Sequence, residues 1–350
     1  MITNGKKIFQ LANCEAVYVS CEFLLRYITG FVAENGFAIV DKNGTTLFTD
    51  KRYIEAAKQA FEGTDVTAVL YKQNEAVERL KLYASVGISF HQTTHAEYET
   101  LAKAGINLID IDACLNQAMA VKNEWELVNV AKACEIAEDA FNALLPEIKE
   151  GMTETEVAAL LEYNMRKRGA QGLSFETIVA FGNSASVPHH ETGDRKLVFG
   201  DEILIDFGCK VNGYCSDITR TFLFGDDGKH DEFKKAYKAV LTAHELVKGR
   251  VVSGMTCGEA DAVAREYLTE QGYGHLFTHS LGHGIGLNVH EFPYVRRNGE
   301  ETLTDGMVFS NEPGVYLEGE YGIRIEDTVT LKDGKVQSFM SKTDKNLLIL

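Results

Sequence analysis

The chain is short of proline, of paired cysteines, of long apolar runs and of basic residues, and each shortage removes a class of protein. Only 4 of its 350 residues are proline, 45% are hydrophobic and 25% are charged. That composition excludes collagen-like, coiled-coil and disordered readings. The seven cysteines (Cys14, Cys21, Cys114, Cys134, Cys209, Cys215, Cys257) are odd in number, scattered and without a C-x-x-C pair. Reduced thiols filling core space are expected, not a disulfide framework or a Cys-ligated zinc. No stretch reaches the roughly 18 uninterrupted apolar residues of a membrane span. The start, Met1 to Lys7, carries charge without the apolar run of a signal peptide. A cytoplasmic protein with no membrane partner is the expectation. Lysine and arginine number 35 against 51 aspartates and glutamates, a formal charge of -16. Such an excess repels phosphate backbones, which excludes nucleic acid as a main partner. It is also what a chain shows when some of its carboxylates hold cations.

A length of 350 residues is about twice a typical domain, so two domains are predicted. The first 120 or so residues alternate short apolar runs with amphipathic stretches, the pattern of an α/β unit. Ala16–Val19, Phe37–Val40, Thr45–Phe48, Val66–Leu70 and Val86–Phe90 read as strands, with Asn43-Gly44 as a hairpin turn. Helical patterns run from Arg52 to Phe61 and from Glu75 to Tyr83. From Lys122 the texture changes. A long helix is predicted over Glu124–Leu145, and a second, capped at Thr153-Glu154-Thr155-Glu156, runs to Arg168. The domains are therefore drawn as 1–121 and 122–350. After Gly172 the chain reads as strand-rich and glycine-punctuated, and eight of its ten histidines lie beyond residue 188.

Four elements there carry chemistry. Glu202–Gly208 is an apolar strand interrupted by Asp206, and Gly213–Phe222 is its return partner bearing Asp217. A turn centred on Val211-Asn212 sets the two aspartates face to face, and one centred on Asn212-Gly213 makes them diagonal neighbours. Either register puts both on one face of the hairpin, where like charges need a cation or a proton between them. A second pair of strands delivers Glu312, just before Pro313, and Glu326. The third element, Thr278 to Pro293, packs His279, His283 and His290 into twelve positions among glycines that let backbone approach a ligand. It is neither a zinc-protease H-E-x-x-H helix nor a dinucleotide loop. The fourth runs from Phe175 to Pro188-His189-His190. Four carboxylates and one imidazole suit two divalent ions. The oxygen-rich shell favours Mn²⁺, with Co²⁺, Zn²⁺ or Fe²⁺ compatible. Two ions roughly 3.5 Å apart make metal-assisted hydrolysis the natural chemistry.

These residues resemble the aminopeptidase P and prolidase group of pita-bread metallopeptidases. Leu24–Phe31 and Leu47–Tyr53 are similar to its creatinase-type N-terminal domain. Ser174–Val179, Pro188–His190, Asp206–Gly208, Ser216–Thr221, Gly282–Gly286, Asn311–Gly314 and Gly322–Asp327 are similar to its α+β catalytic domain. The resemblance implies that Asp206 holds one metal, that Asp217 and Glu326 bridge two, and that His283 and Glu312 complete the other shell. It further implies a metal-bridging hydroxide as nucleophile, with Glu312 also moving protons. His189, His279 and His290 would bind substrate and the tetrahedral intermediate, supported by Phe175, Tyr316 and Arg324. Asn311 departs from the apolar residue many members carry before Glu-Pro, beside a metal ligand.

Proline removes an amide N–H and stiffens the chain, which is why Xaa-Pro bonds call for a specialised peptidase. The expected substrate is a peptide with proline at its second position, cleaved at the N-terminal Xaa-Pro bond. Arg296 and Arg297 could meet a free carboxylate. A creatinase-like hydrolase of this fold works without metal, whereas all five ligand positions are filled here. A methionine aminopeptidase would normally lack the N-terminal domain. A non-catalytic protein-binding module of this fold would lose ligands. The resemblance also suggests a homodimer.

Overall fold

A computed structural model describes residues 3–72 and 74–350. Met1 and Ile2, part of the N-terminal segment read above, lie outside the described residues. The chain divides into two compact units, Met1–Met119 and Ala120–Leu350. Among the described residues no helix is long and apolar enough to cross a membrane.

The first unit is one six-stranded sheet with helices. Its strands β1 (Ala16–Val19), β2 (Gly36–Asp41), β3 (Gly44–Thr49), β4 (Val66–Leu70), β5 (Val86–Ile88) and β6 (Leu108–Asp110) lie in the order β4-β3-β2-β1-β5-β6. The Asn43-Gly44 signal becomes the β2–β3 hairpin, with Asp41 opposite Gly44. Helices α1 (Gly5–Leu11), α2 (Glu22–Thr29), α3 (Ile54–Ala60), α4 (Glu75–Leu80), α5 (His95–Lys103) and α6 (Asp112–Ala120) complete the series. Strand β5 stops at Ile88, short of the apolar run to Phe90. The Ser89 hydroxyl turns to the Asp112 carboxylate and accepts from the Gln92 amide, which ends the ladder and leaves Phe90 exposed.

The second unit repeats itself. Helices α7 (Glu124–Leu144) and α8 (Glu154–Lys167) precede strands β7 (Gly172–Leu173), β8 (Ile178–Phe181), β9 (Glu202–Phe207), β10 (Cys209–Val211), β11 (Tyr214–Cys215) and β12 (Ile218–Leu223). Helices α9 (Asp231–Arg250) and α10 (Cys257–Glu270) precede β13 (Gly282–Gly284), β14 (Glu291–Val295), β15 (Val308–Asn311), β16 (Gly314–Leu317), β17 (Tyr321–Arg324), β18 (Asp327–Lys332) and β19 (Lys335–Ser338). The strand-rich reading after Gly172 omits α9 and α10. Buried Phe233, Tyr237, Val240, His244 and Val247 follow helical spacing across α9. Both α8 and α10 start from the same device, Gly151-Met152-Thr153 and Gly254-Met255-Thr256. Each glycine has positive φ, 84° and 97°, and each donates its amide to a leucine carbonyl, of Leu197 or Leu303, at 2.8 Å. Each threonine closes a capping box with a glutamate, Glu156 or Glu259.

Three strands order as β12-β9-β8, three as β11-β10-β7, five as β14-β13-β15-β18-β19, and β16 pairs with β17. Phe141 of α7 stacks on Phe207 of β9 at 5.5 Å and meets Phe222 of β12 edge-on, seating the helix on the sheet that carries the aspartates. All seven cysteines are free, and burial pushes the Cys209 and Cys257 thiols up to about 12.

Candidate active site

The β9–β12 pairing resolves the register that the sequence left open. Asn212 and Gly213 both have positive φ, 47° and 83°, as the two central residues of a type I′ turn require. Val211 then faces Tyr214, and Asp206 faces Thr219. Asp217, two residues before Thr219, is thus the diagonal neighbour of Asp206. Glu312 follows β15 directly, and Glu326 sits in the junction between β17 and β18. His283 is the middle residue of β13, which pairs with β15 through Gly284 and Phe309. A Cβ at Gly282 would come within 1.9 Å of the Ser310 carbonyl oxygen, so only glycine lets β13 approach β15 this closely.

These elements bring Asp206, Asp217, His283, Glu312 and Glu326 to the wall of one pocket of about 630 Å³. Phe175, His189, His279, His290 and Arg324 line it too. Tyr316 stands one layer back. Its hydroxyl accepts from Arg324 Nη1 at 2.7 Å and donates to His279 Nε2 at 3.0 Å. His279 Nδ1 lies 2.8 Å from the Ser280 carbonyl, which can only accept, so Nδ1 carries the ring proton. Arg324 Nη2 reaches Asp206 Oδ2 at 2.6 Å. The result is a continuous chain of hydrogen bonds from Asp206 through Arg324 and Tyr316 to His279. Burial, with the Arg324 charge nearby, lowers His279 to about 3, and burial lowers His290 to about 4. Both imidazoles are neutral at neutral pH.

The acids share the Arg324 charge, which offsets only part of their burial and mutual repulsion. Burial first, then the neighbouring carboxylates, push Asp217 and Glu326 well above the usual range. Burial raises Glu312 to about 7. Asp206 Oδ1 is buried without a hydrogen-bond partner. The Nδ1 of His283 lies 3.2 Å from the Gly284 carbonyl, again an acceptor, so Nδ1 holds the proton and Nε2 presents a lone pair. That nitrogen faces Glu312 Oε1 at 3.4 Å and Asp217 Oδ2 at 3.6 Å. A nitrogen lone pair close to two carboxylate oxygens, in a pocket whose wall also carries Asp206 with its unpartnered Oδ1, is an arrangement that a cation satisfies. Asp217, His283 and Glu326 each offer a ligand atom within 4.8 Å of the others. The donor set therefore fits divalent metal.

Sequence reasoning missed the groups that aim the acids. Thr219 Oγ1 donates to Glu326 Oε2 at 2.6 Å, and Ser310 Oγ donates to Glu312 Oε1 at 2.9 Å while accepting the His283 amide. The available signal was polarity inside strands buried along their whole length. His190 also lines the pocket, and its Nε2 lies 2.8 Å from Glu154 Oε2 of α8.

Comparisons with known proteins identify the family and the fold. The model of metallopeptidase family M24 matches residues 128–333, and that of the creatinase/prolidase N-terminal domain matches residues 2–119. An Xaa-Pro dipeptidase of Pyrococcus horikoshii is 35% identical over 98% of both chains. The crystal structure of an X-Pro aminopeptidase from Thermotoga maritima superposes over 100% of both chains with a TM-score of 0.90 at 35% identity. A prolidase from Pyrococcus furiosus superposes over 95% of this chain and 97% of its own, with a TM-score of 0.88 at 34% identity.

Proposed function

The chain belongs to metallopeptidase family M24, with a creatinase/prolidase N-terminal domain, and on that premise we infer that it is a metal-dependent hydrolase of the N-terminal Xaa-Pro bond of peptides. The observation that carries this reading is the bare His283 Nε2 facing buried carboxylate oxygens inside the pocket. Asp206, Asp217, His283, Glu312 and Glu326 are the residues that would hold two divalent ions, with Mn²⁺ favoured by the oxygen-rich shell. When bound, such ions polarise the scissile carbonyl and make a nucleophile available at neutral pH.

The chain's own groups do the rest. Glu312 accepts a proton on its carboxylate and returns it to the leaving proline nitrogen. His279, fixed between the Ser280 carbonyl and the Tyr316 hydroxyl, forms the rigid wall against which the peptide group is oriented. His189 and His290, which line the same pocket, bind the substrate carbonyl, and Phe175 supplies apolar surface to the proline ring. Arg324, neutralised by Asp206, holds Tyr316 and thereby His279. The catalytic domain of this proposal is residues 122–350 and the N-terminal domain residues 1–121. A cytoplasmic homodimer belongs to the same reading.

A peptide-length series tests it. Xaa-Pro, Xaa-Pro-Yaa and longer peptides are assayed with chelator and after adding back Mn²⁺, Co²⁺ or Zn²⁺, beside matched peptides with alanine in place of proline. Cleavage is expected only before proline, to vanish on chelation and to return best with Mn²⁺. Full activity in metal-free protein, or indifference to proline, contradicts the reading.

A further inference from the structure

Away from the pocket, a second group of metal-ligating side chains gathers among the described residues. Asp226, Asp227 and His230, on the segment between β12 and α9, each offer a ligand atom within 4.8 Å of the others. Two exposed aspartates alone would be solvated acids. His230 is different, because it is only 9% exposed and its Nε2 has no hydrogen-bond partner. That nitrogen lies 3.3 Å from Asp227 Oδ1, at ion-pair distance but off the line of a hydrogen bond. On the far side of the ring, Nδ1 lies 3.5 Å from Glu202 Oε1 at the start of β9. A buried imidazole nitrogen left without a partner is uncommon in folded proteins. A carboxylate behind the opposite ring nitrogen is the usual way of orienting a ligating histidine.

The aspartates are held in place as well. Asp226 Oδ1 accepts the Gly228 amide and Asp227 Oδ1 the Lys229 amide, both at 3.0 Å. Their Oδ2 atoms pair with Lys234 and Lys229. Those lysines are competitors, and Lys229 is a weak one. The Lys229 side chain is 82% exposed, and ion pairs at the surface contribute little. One imidazole nitrogen with two carboxylates, completed by water, is a donor set for a borderline divalent cation such as Zn²⁺ or Co²⁺, and is poor in oxygens for Ca²⁺.

We propose that Asp226, Asp227 and His230 form a divalent-cation site separate from the pocket, which fastens the turn before α9 to β9 through the contact between His230 and Glu202. The site is structural, and it stands independently of the peptidase reading.

The test is equilibrium dialysis of the full chain against Zn²⁺, followed by elemental counting. Wild type is compared with His230→Ala and with the Asp226→Asn, Asp227→Asn pair. Each variant is expected to hold one zinc per chain fewer than wild type, whatever the pocket holds, while Xaa-Pro cleavage is unchanged. The Lys229→Gln, Lys234→Gln pair, which removes the competitors, is expected to bind this zinc severalfold more tightly. Because His230 is buried and its replacement can fail to fold, the exposed aspartate pair carries the test by itself, with folding checked by circular dichroism. Equal zinc content in wild type and the folded aspartate variant overturns the proposal, as does unchanged affinity in the lysine variant.

Discussion

Thr153 and Thr256 cap helices of 14 residues each, and the glycine and methionine before them make matching backbone bonds, yet the residue after each cap differs. In the first half it is Glu154, buried, accepting from the amides of Phe181 and Gly193 at 3.0 Å and from His190 Nε2 at 2.8 Å. In the second it is Cys257, packed among apolar neighbours such as Ala260 and Leu303. The shared positions build the scaffold, and the unshared ones carry the pocket. Glu154 fixes the loop that bears His189. Likewise β9 and β12 of the first half frame the two aspartates, while β13, β15 and the β17–β18 junction of the second deliver His283, Glu312 and Glu326. Neither half holds a full donor set.

If the pocket needs both halves, one ligand removed from either should be equally damaging. Asp217→Ala from the first half and Glu312→Ala from the second are each expected to lower kcat/KM by about 10³-fold or more, the scale of losing a catalytic acid or base or a metal ligand. Steady-state assays at saturating Mn²⁺ check this. A variant from one half that keeps most of its activity would show that half to be scaffold alone.

The next largest effect separates Glu154 from Cys257. Glu154→Ala leaves two amides and an imidazole without their acceptor, a loss of about 3 kcal/mol, and frees the His189 loop, so KM rises as well. Cys257→Ala, which removes only a sulfur from the core, is expected to cost about 1 kcal/mol with KM unchanged. Urea unfolding and Michaelis kinetics on both variants decide the matter. Equal stability losses would mean that Glu154 does no more than fill space.

Thr219 aims Glu326 from a strand buried along its whole length. Thr219→Val keeps the shape and removes the donor, and metal affinity is expected to fall about 10- to 100-fold, as for other partners that orient ligands. Competition with a metal-indicator dye measures it. Unchanged affinity would show that the hydroxyl only satisfies itself.

Legibility followed the range of the cause. The α8 cap is legible in the sequence because a capping box is a four-residue affair, and the sharing of one face by Asp206 and Asp217 is legible because strand period is local. The diagonal register was within reach, since Asn-Gly favours positive φ at both central positions. Helices α9 and α10 sit in a stretch whose glycines and histidines dominate the pattern, although α9 carries a regular apolar stripe. Thr219 and Ser310 look like ordinary strand residues until burial is known. The run from Asp206 through Arg324 and Tyr316 to His279 joins side chains up to 118 positions apart. Nothing in local pattern announces it.

The smallest expected effect tests the equivalence itself. Thr153→Ala and Thr256→Ala each remove one capping oxygen from a helix start with the same φ > 0 glycine and the same reciprocal glutamate, so each is expected to cost about 1 kcal/mol. The two threonines share no partner, and the double variant should therefore lose the sum. Catalysis is expected to stay level in Thr256→Ala. It should stay level in Thr153→Ala too, because Glu154 is held by three donors of its own and not by the cap. Thermal melts in the presence and absence of Mn²⁺ give both numbers. Losses that differ by more than about 1 kcal/mol would show that the second half only resembles the first in outline, with its cap supported by something the first lacks.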